Sequence, residues 1–367
     1  MTARYIMIGG FLGAGKTTAL LAFARWLHAR GHAAGLITND QGSALVDTRL
    51  LSGAGFAVEE IAGGCLCCRF QSLVEAAERL RAEEAPDVLL AEPVGSCTDL
   101  VATVALPLRR LYGDAFRVAP VSVMLDPFRA RRILELDAGA RFSDKVRYLY
   151  RKQLEEADAL VINKADRLDA AARDTLRAAL REAFPEARQF VVSAREGTGL
   201  ERWFHWLLET GQPARTAMEV DYAAYAEGEA RLGWLNAGYR LEAVTAWDGN
   251  AFLRELGEIL RAALAPEAEI AHLKMTLEAT GLFHDVAVLN LVQNDAAPEL
   301  AFTLEEPLRA GCLTLNLRAE AAPDRLADLV RQGVETARRR LPCSRFQEEH
   351  LQFFRPARPT PTHRDAG

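Results

Sequence analysis

Long hydrophobic runs and an excess of basic residues are both missing from this sequence. No apolar run approaches the roughly 18 residues of a membrane-spanning helix, which excludes such a helix. Lys and Arg number 44 against 50 Asp and Glu, a net charge of −6, whereas non-specific nucleic-acid binding needs a basic surface. The N-terminal apolar stretch runs straight into glycines and does not follow the layout of a signal peptide. We therefore expect a cytoplasmic protein that binds neither membranes nor nucleic acid.

Cysteine and histidine are also scarce. Six cysteines and seven scattered histidines in 367 residues do not form a zincin-type pair. In a reducing compartment so few cysteines are not expected to form a disulfide framework. Cys65, Cys67 and Cys68 nevertheless lie within four positions, which indicates metal binding or redox chemistry.

The first 210 residues alternate short apolar runs with helical patterns. This alternation predicts an α/β fold with a mostly parallel sheet and helices on both faces, and ligands in such sheets bind beyond the carboxyl ends of the strands. The predicted strands are residues 4–8, 33–38, 56–61, 87–91, 121–125, 159–162 and 190–192. The predicted helices are residues 17–27, 72–85, 145–156, 170–184 and 200–208.

The remaining residues predict a second, smaller domain. Residues 211–229 have no clear period and are predicted to be a linker. A β-α-β-β-β-α pattern over residues 230–341 predicts a C-terminal α+β domain, for which a ferredoxin-like fold is one candidate. The Pro- and Arg-rich residues 342–367 predict a partly irregular tail.

A phosphate-binding motif follows the first predicted strand. Residues 10–17 read Gly-Phe-Leu-Gly-Ala-Gly-Lys-Thr, the pattern of a P-loop. In that pattern backbone N–H groups and a helix N-terminus surround the phosphates, with Lys16 at the β- and γ-phosphates and Thr17 at Mg²⁺. A chance glycine-rich turn is the alternative, but the strand before it and the helix after it favour the P-loop. The predicted cofactor contacts are Gly10, Gly13, Ala14, Gly15, Lys16, Thr17 and Thr18.

A second motif selects the base. Asn163, Lys164 and Asp166 form the N-K-x-D pattern directly after a predicted strand. The Asp166 carboxylate can accept hydrogen bonds from two guanine N–H groups, and adenine offers no such pair, so GTP is the predicted nucleotide. Four residues alone would also fit a solvated turn. Ser193 and Ala194, after the next strand, are predicted to lie near the guanine.

Two acidic segments are candidates for Mg²⁺ binding and catalysis. Glu92 ends a predicted strand and could hold Mg²⁺ through water, orient the attacking water, or cap the next turn. Gly95 could place its N–H at the γ-phosphate and report its loss. Asp40 could meet Mg²⁺ or a second metal and Gln41 could position water, although Asn, Asp and Gly also favour a plain turn here. The catalytic candidates are Lys16, Thr17, Glu92 and Gln41.

The cysteine cluster is a candidate zinc site. Thiolates bind Zn²⁺, which takes four ligands in a tetrahedron. Adjacent cysteines such as Cys67 and Cys68 rarely both reach one ion, so two of the three cysteines could bind at a time. The fourth ligand stays open between Cys97 and Asp40, and Cys97 also fits a small buried hydrophobe.

Together these motifs resemble the CobW-like family of P-loop GTPases, relatives of the urease and hydrogenase nickel-insertion GTPases. The resemblance covers about residues 1–210 and rests on residues 9–18, on Gly-Gly-Cys-Leu-Cys-Cys at 63–68, and on residues 92–95 and 163–166. It implies a GTP-hydrolysing metallochaperone that uses Mg²⁺, binds Zn²⁺ or a similar metal at the cysteines and serves a client metalloprotein. A homodimer through the GTPase domain is a further assembly it suggests.

The sequence departs from the family pattern at three points. Residues 39–42 read Asn-Asp-Gln-Gly where the family usually has Asn-Glu-Phe-Gly. No histidine-rich stretch is present, and the usual C-terminal motif is missing. Two other functions also stay open: a P-loop kinase or ATP-dependent transferase with a structural zinc, and a regulatory GTPase whose cysteines sense redox state.

Overall fold

The computed structural model divides the chain into two compact units. The first is Met1–Gly228 together with Arg358–Gly367, and the second is Glu229–Ala357. The structure describes residues 2–40, 51, 55–139, 142–213, 216–280, 285–341 and 343–366. Among these, no helix has the length and apolarity needed to cross a membrane.

In its described residues the first unit contains a sheet of parallel strands with the order β3-β2-β4-β1-β6-β7-β8, and β5 also pairs with β1. The strands are β1 Ala3–Gly10, β2 Ala34–Asp40, β3 Ala57–Ala62, β4 Val88–Glu92, β5 Phe116–Val118, β6 Ser122–Leu125, β7 Ala159–Ile162 and β8 Arg188–Val191. The helices are α1 Lys16–His28, α2 Phe70–Glu83, α3 Leu106–Tyr112, α4 Pro127–Ile133, α5 Asp144–Glu155, α6 Ala170–Ala183 and α7 Leu200–Glu209. A further helix, α8 Tyr222–Arg231, contains the boundary between the two units.

Helices cover both faces of this sheet, as the alternating pattern predicts. On one face Ile6 and Ile8 of β1 pack in a cluster that includes Phe23 of α1 and Phe204 of α7. Successive side chains of a strand point to opposite faces, so Tyr5 lies on the other face, where its ring contacts Phe116. The Arg81 guanidinium of α2 lies 5.5 Å from the centre of the Phe116 ring. Strands buried on both faces carry continuous apolar runs, which is why the sequence pattern reveals them.

The parallel register brings the ends of β1, β2 and β4 to one edge. Met7 of β1 is opposite Ala91 of β4, and Thr38 of β2 is opposite Glu92. The P-loop, the segment after Asp40 and the segment after Glu92 therefore leave the sheet at the same edge.

In its described residues the second unit contains an antiparallel sheet with the order β12-β11-β10-β13-β9-β14. The elements are β9 Gly233–Trp247, α9 Gly249–Leu264, β10 Glu269–Ala279, β11 Val286–Leu291, β12 Glu299–Phe302, β13 Leu308–Glu320, α10 Pro323–Arg338 and β14 Cys343–Phe354. The succession β9-α9-β10 and β13-α10-β14, with the order β10-β13-β9-β14, is the ferredoxin-like arrangement, which the β11–β12 pair extends.

The structure adds to one prediction from sequence and corrects another. Within residues 342–367, β14 pairs with β9 and places Leu351 and Phe353 against the core. Tertiary pairing overrides the local Pro- and Arg-rich composition here. The predicted linker, residues 211–229, contains most of α8, whose Tyr225 is buried.

Candidate nucleotide and metal site

The P-loop has the backbone geometry of a phosphate cradle. Gly10, Gly13 and Gly15 adopt φ angles of 132°, 77° and 94°, which L side chains rarely adopt. A Cβ on Gly10 would lie 2.2 Å from the Met124 carbonyl oxygen. Glycine is therefore required for the turn, and α1 begins directly after it, so that its N-terminal N–H groups can receive an anion.

Lys16, Thr17 and Glu92 meet at the mouth of this loop. The Lys16 ammonium donates to the Gly10 carbonyl at 3.0 Å and lies 3.7 Å from the Glu92 carboxylate. The Thr17 hydroxyl donates to the same carboxylate at 3.2 Å. All three residues are buried, whereas Thr18 is exposed. A hydroxyl beside a carboxylate is an oxygen donor set that fits Mg²⁺.

Gly95 lies against the P-loop. A Cβ at this position would come within 2.8 Å of a Leu12 methyl carbon and 3.0 Å of the Leu12 nitrogen. The Gln153 side-chain amide of α5 donates to the carbonyls of Gly95 and Cys97, at 3.0 Å and 2.8 Å. The segment after Glu92 is therefore held next to the loop, as a γ-phosphate contact requires.

Asn163 and Lys164 brace the P-loop from behind. The Asn163 amide donates to the Ala14 carbonyl at 2.8 Å and accepts from the Ala194 N–H at 2.9 Å. The Lys164 ammonium donates to the Gly13 carbonyl at 2.9 Å. The first two residues of the N-K-x-D motif thus join the P-loop to the loop after β8.

Asp126 completes this brace, and the sequence motifs did not reveal it. Its carboxylate accepts from the Lys164 ammonium at 2.8 Å and from the Arg129 N–H at 3.0 Å. Burial by itself raises the pKa of Asp126, but the charges of Lys164 and Arg129 and these hydrogen bonds lower it overall. An Asp-Pro pair before a helix is a recognisable N-cap signal, yet nothing in the sequence joins it to Lys164.

Asp166 and Ser193 lie on the two loops expected around the base. Asp166 is exposed and lies in a short helical turn, Ala165–Arg167. The Ala165 N–H at the start of this turn donates to the Val192 carbonyl at 3.1 Å. The Ser193 hydroxyl accepts from the Glu196 N–H at 3.2 Å and is buried. An exposed carboxylate beside buried loop backbone suits recognition of a guanine edge from solvent.

The predicted metal-binding cysteines lie together. The Sγ atom of Cys65 is 2.7 Å from that of Cys67 and 3.2 Å from that of Cys68. Among the described residues, these three form the one group of at least three potential metal ligands whose ligand atoms lie within 4.8 Å of one another. The cluster precedes α2, whose N-terminus favours thiolates.

The thiols form a hydrogen-bonded set around one sulfur. Hydrogen bonds with the thiols of Cys67, Cys68 and Cys97 hold the pKa of Cys65 well below its ordinary value, against the opposing effect of burial. The hydrogen bond with Cys65 raises the pKa of Cys67, and it raises that of Cys68 to about 11 against the lowering effect of the hydrogen bond with Cys67. Three sulfur atoms so close together are suited to a soft or borderline cation.

Cys97 and Asp40 differ in how close they come to this cluster. Cys97 is buried and its thiol hydrogen-bonds Cys65, which makes it the better placed of the two candidates for a fourth ligand. Asp40 is the last residue of β2 and pairs with Ala62 of β3. Ala62 in turn lies three residues before Cys65. Gln41 lies outside the described residues.

Asn39 holds the cysteine loop, a role that its place in a turn-like motif did not suggest. Its buried amide donates to the carbonyls of Ile61 and Gly64 at 2.8 Å and 2.6 Å. Its side-chain oxygen accepts from the Leu66 N–H at 3.0 Å. The end of β2 and the cysteine loop are therefore joined through one side chain.

Two curated proteins are similar to this chain in sequence. The zinc chaperone YeiR of Escherichia coli is 32% identical over 164 residues, which span 44% of this chain and 46% of that protein. The zinc chaperone CobW of Pseudomonas aeruginosa is 28% identical over 219 residues, which span 52% of this chain and 56% of that protein. The chain thus spans about half the length of the curated relatives it matches.

Solved structures of related proteins are also similar. The nickel complex of HypB from Helicobacter pylori is 21% identical with a TM-score of 0.42, covering 56% of this chain and 86% of that one. Zn(II)-bound YjiA GTPase from Escherichia coli is 12% identical with a TM-score of 0.37, covering 92% and 99%. The family described as CobW/HypB/UreG, nucleotide-binding domain, matches residues 4–191. This match spans half of the chain and includes the P-loop, the cysteine cluster and the N-K-x-D motif, and the chain therefore belongs to the CobW/HypB/UreG family.

Proposed function

We propose that this protein binds and hydrolyses GTP and uses the nucleotide state to control binding of Zn²⁺, or a similar metal, and its delivery to a client metalloprotein. The two relatives named as zinc chaperones support this proposal, as does the cysteine cluster beside the nucleotide motifs. A homodimer through the GTPase domain belongs to the same proposal.

The geometry of the P-loop and of the segment after Glu92 supports the following proposed nucleotide roles. Lys16 and the P-loop N–H groups bind the β- and γ-phosphates, and Asp166 selects guanine. Thr17 and Glu92 would hold Mg²⁺, which neutralises the charge that develops on the phosphates. Gln41 is the proposed water-positioning residue, and Glu92 is the second candidate for that role. Gly95 is proposed to contact the γ-phosphate.

One observation supports the coupling between nucleotide and metal. Gly95 lies against Leu12 of the P-loop, while Cys97, two residues further along, hydrogen-bonds Cys65. A shift of Gly95 on loss of the γ-phosphate would move a thiol of the metal cluster. Asn39 gives a second connection, because it joins the end of β2 to Leu66.

A zinc titration of the reduced protein tests this coupling. Zinc affinity is measured anaerobically without nucleotide, with GDP and with a non-hydrolysable GTP analogue, each with Mg²⁺. We expect the affinity to differ between the GDP and GTP-analogue states. The double substitution Cys67→Ser/Cys68→Ser should abolish tight binding, whereas Cys312→Ser, in the second unit, is the matched control.

A regulatory GTPase with redox-sensing cysteines is the second candidate. The lowered pKa of Cys65 favours it, because the thiolate is the form that oxidants attack. This alternative predicts equal zinc affinity in all three nucleotide states, since a ligand indifferent to state cannot be controlled by it. Full zinc affinity in the double cysteine variant would also favour it.

A further inference from the structure

The chain returns to the first unit after the second and lies on the cysteine turn. We call residues 360–366 the strap. The Thr360 N–H donates to the Cys68 sulfur at 3.2 Å, and the Thr362 N–H donates to the Cys67 carbonyl at 2.9 Å. The Thr362 hydroxyl donates to the Cys68 carbonyl at 3.2 Å. The strap therefore contacts two of the proposed metal ligands.

A second group of contacts fixes the other end of the strap. The Arg364 guanidinium donates to the Asp99 carboxylate and to the Met218 carbonyl, both at 2.8 Å. The Asp365 N–H donates to the Ala102 carbonyl at 2.8 Å, and its carboxylate lies 3.1 Å from Arg110. Asp99 is buried, and its pairing with Arg364 is a charge-assisted hydrogen bond; the Tyr222 hydroxyl donates to the same carboxylate at 2.7 Å.

Two of the residues that hold the strap, Asp99 and Ala102, lie on the segment that follows Gly95. Asp99 and Ala102 follow Cys97, and the Asp99 backbone holds a φ of 64°, an uncommon value for a residue other than glycine. The His363 ring packs edge-on against Phe70, the first residue of α2, at 4.9 Å. The strap thus joins the cysteine turn to the chain just beyond Gly95.

We propose that the strap controls access to the cysteine cluster and must leave the cysteine turn before metal passes to or from a partner. Ligand exchange at a thiolate metal needs an incoming group to approach the cluster. Cys68 is the most exposed of its three sulfurs, and the strap donates to that sulfur. The proposal that the strap limits access to the cysteines depends only on these contacts. The proposal that it also limits metal transfer rests on the proposed function.

Alkylation of the metal-free protein tests the strap without reference to zinc. The reduced protein is treated with iodoacetamide, and the rate at each cysteine is measured by peptide mass spectrometry. Arg364→Ala removes the contact to Asp99, and deletion of residues 360–367 removes the strap. Arg358→Ala is the matched control, an arginine in the same segment whose side chain is exposed. Cys312, partly exposed in the second unit, is the internal reference.

We expect the ratio of the Cys68 rate to the Cys312 rate to rise about tenfold in Arg364→Ala, the size set by loss of one charge-assisted hydrogen bond. The deletion should raise it at least as much, and Arg358→Ala should leave it unchanged. A ratio unchanged in both strap variants contradicts the proposal. Zinc loss from loaded protein to a coloured chelator should accelerate in the same variants. If no variant binds zinc, the proposed function fails while the alkylation result stands.

Discussion

Several side chains of the proposed nucleotide site form hydrogen bonds with other residues of the site. Asn163 and Lys164 were predicted from a base-recognition motif, and both contact P-loop backbone. These two residues could be predicted from the sequence because they form a local motif. The role of Asp126 could not be predicted, because its partner Lys164 is distant in the sequence and only the parallel pairing of β6 with β7 brings them together.

The Asp126→Asn substitution should destabilise the first unit. Lys164, whose side chain is one-fifth exposed (21%), would lose its charge partner, and we expect a loss of about 2 kcal/mol or more in the free energy of unfolding. Urea unfolding at neutral pH measures it. The exposed Asp114, substituted by Asn, is the control.

The same pair predicts a dependence on pH. The pKa of Asp126 is lower in the folded protein than its ordinary value of about 3.9. The unfolded chain therefore takes up the proton first as the pH falls, and the contribution of the carboxylate is complete at neutral pH and declines below about pH 5. The stability difference between the wild type and Asp126→Asn should shrink over that range. A difference that stays constant down to about pH 3 would contradict the assignment.

The Gly95→Ala substitution should separate the two nucleotide states. Its Cβ would press on Leu12 of the P-loop, and movement of Gly95 away would remove the proposed contact with the γ-phosphate. We expect affinity for a GTP analogue to fall by about tenfold, or about 1.4 kcal/mol, with affinity for GDP nearly unchanged. Competition binding measures both. Gly211→Ala, at a position with open space around it, is the control.

The elements that the sequence revealed are those with strong periods. Strands β1, β4 and β7 are buried on both faces and carry continuous apolar runs, and α1 has a regular apolar face. The elements it missed are short or set by distant pairing. Helix α4 is seven residues long, and β5 has three. Strand β14 forms along β9, and no local signal specifies that partner.

The end of β2 also positions the cysteine loop, through the side chain of Asn39. A substitution at Asn39 tests this role. Asn39→Ala would leave the Gly64 carbonyl and the Leu66 N–H without the contacts that fix the cysteine loop. We expect zinc affinity to fall by about 10–100-fold, as for other residues that orient metal ligands. Nucleotide affinity should change much less. Chelator competition measures the first and fluorescent nucleotide binding the second. Asn290→Ala, which removes a contact to His272 in the second unit, should change neither.

At the scale of the whole molecule, the proposed coupling must be reciprocal. The fold places the nucleotide loops and the cysteine cluster at one sheet edge, and both belong to the first unit. The sequence pattern predicts that ligands bind beyond the carboxyl ends of the parallel strands, and both sets of loops lie there. The sequence pattern did not predict that residues 358–366 rejoin the same unit, because that return depends on the fold of the second.

Reciprocity gives a quantitative prediction for the intact protein. Whatever factor a GTP analogue applies to zinc affinity, saturating zinc must apply to the affinity of the GTP analogue. Calorimetric titrations in both orders measure the two factors on the same sample. Unequal factors would show that the metal also binds outside the proposed cluster, for example to the nucleotide itself.

The return of residues 358–366 to the first unit also sets an order of events during synthesis. A ribosome adds about 5–20 residues per second, so the roughly 130 residues of the second unit, Glu229–Ala357, separate the two parts of the cysteine site by about ten seconds. The nascent first unit emerges with its cysteine turn uncovered, and the strap is added only after the second unit. Newly made protein therefore passes through an interval in which the cluster is open to whatever metal the surroundings supply.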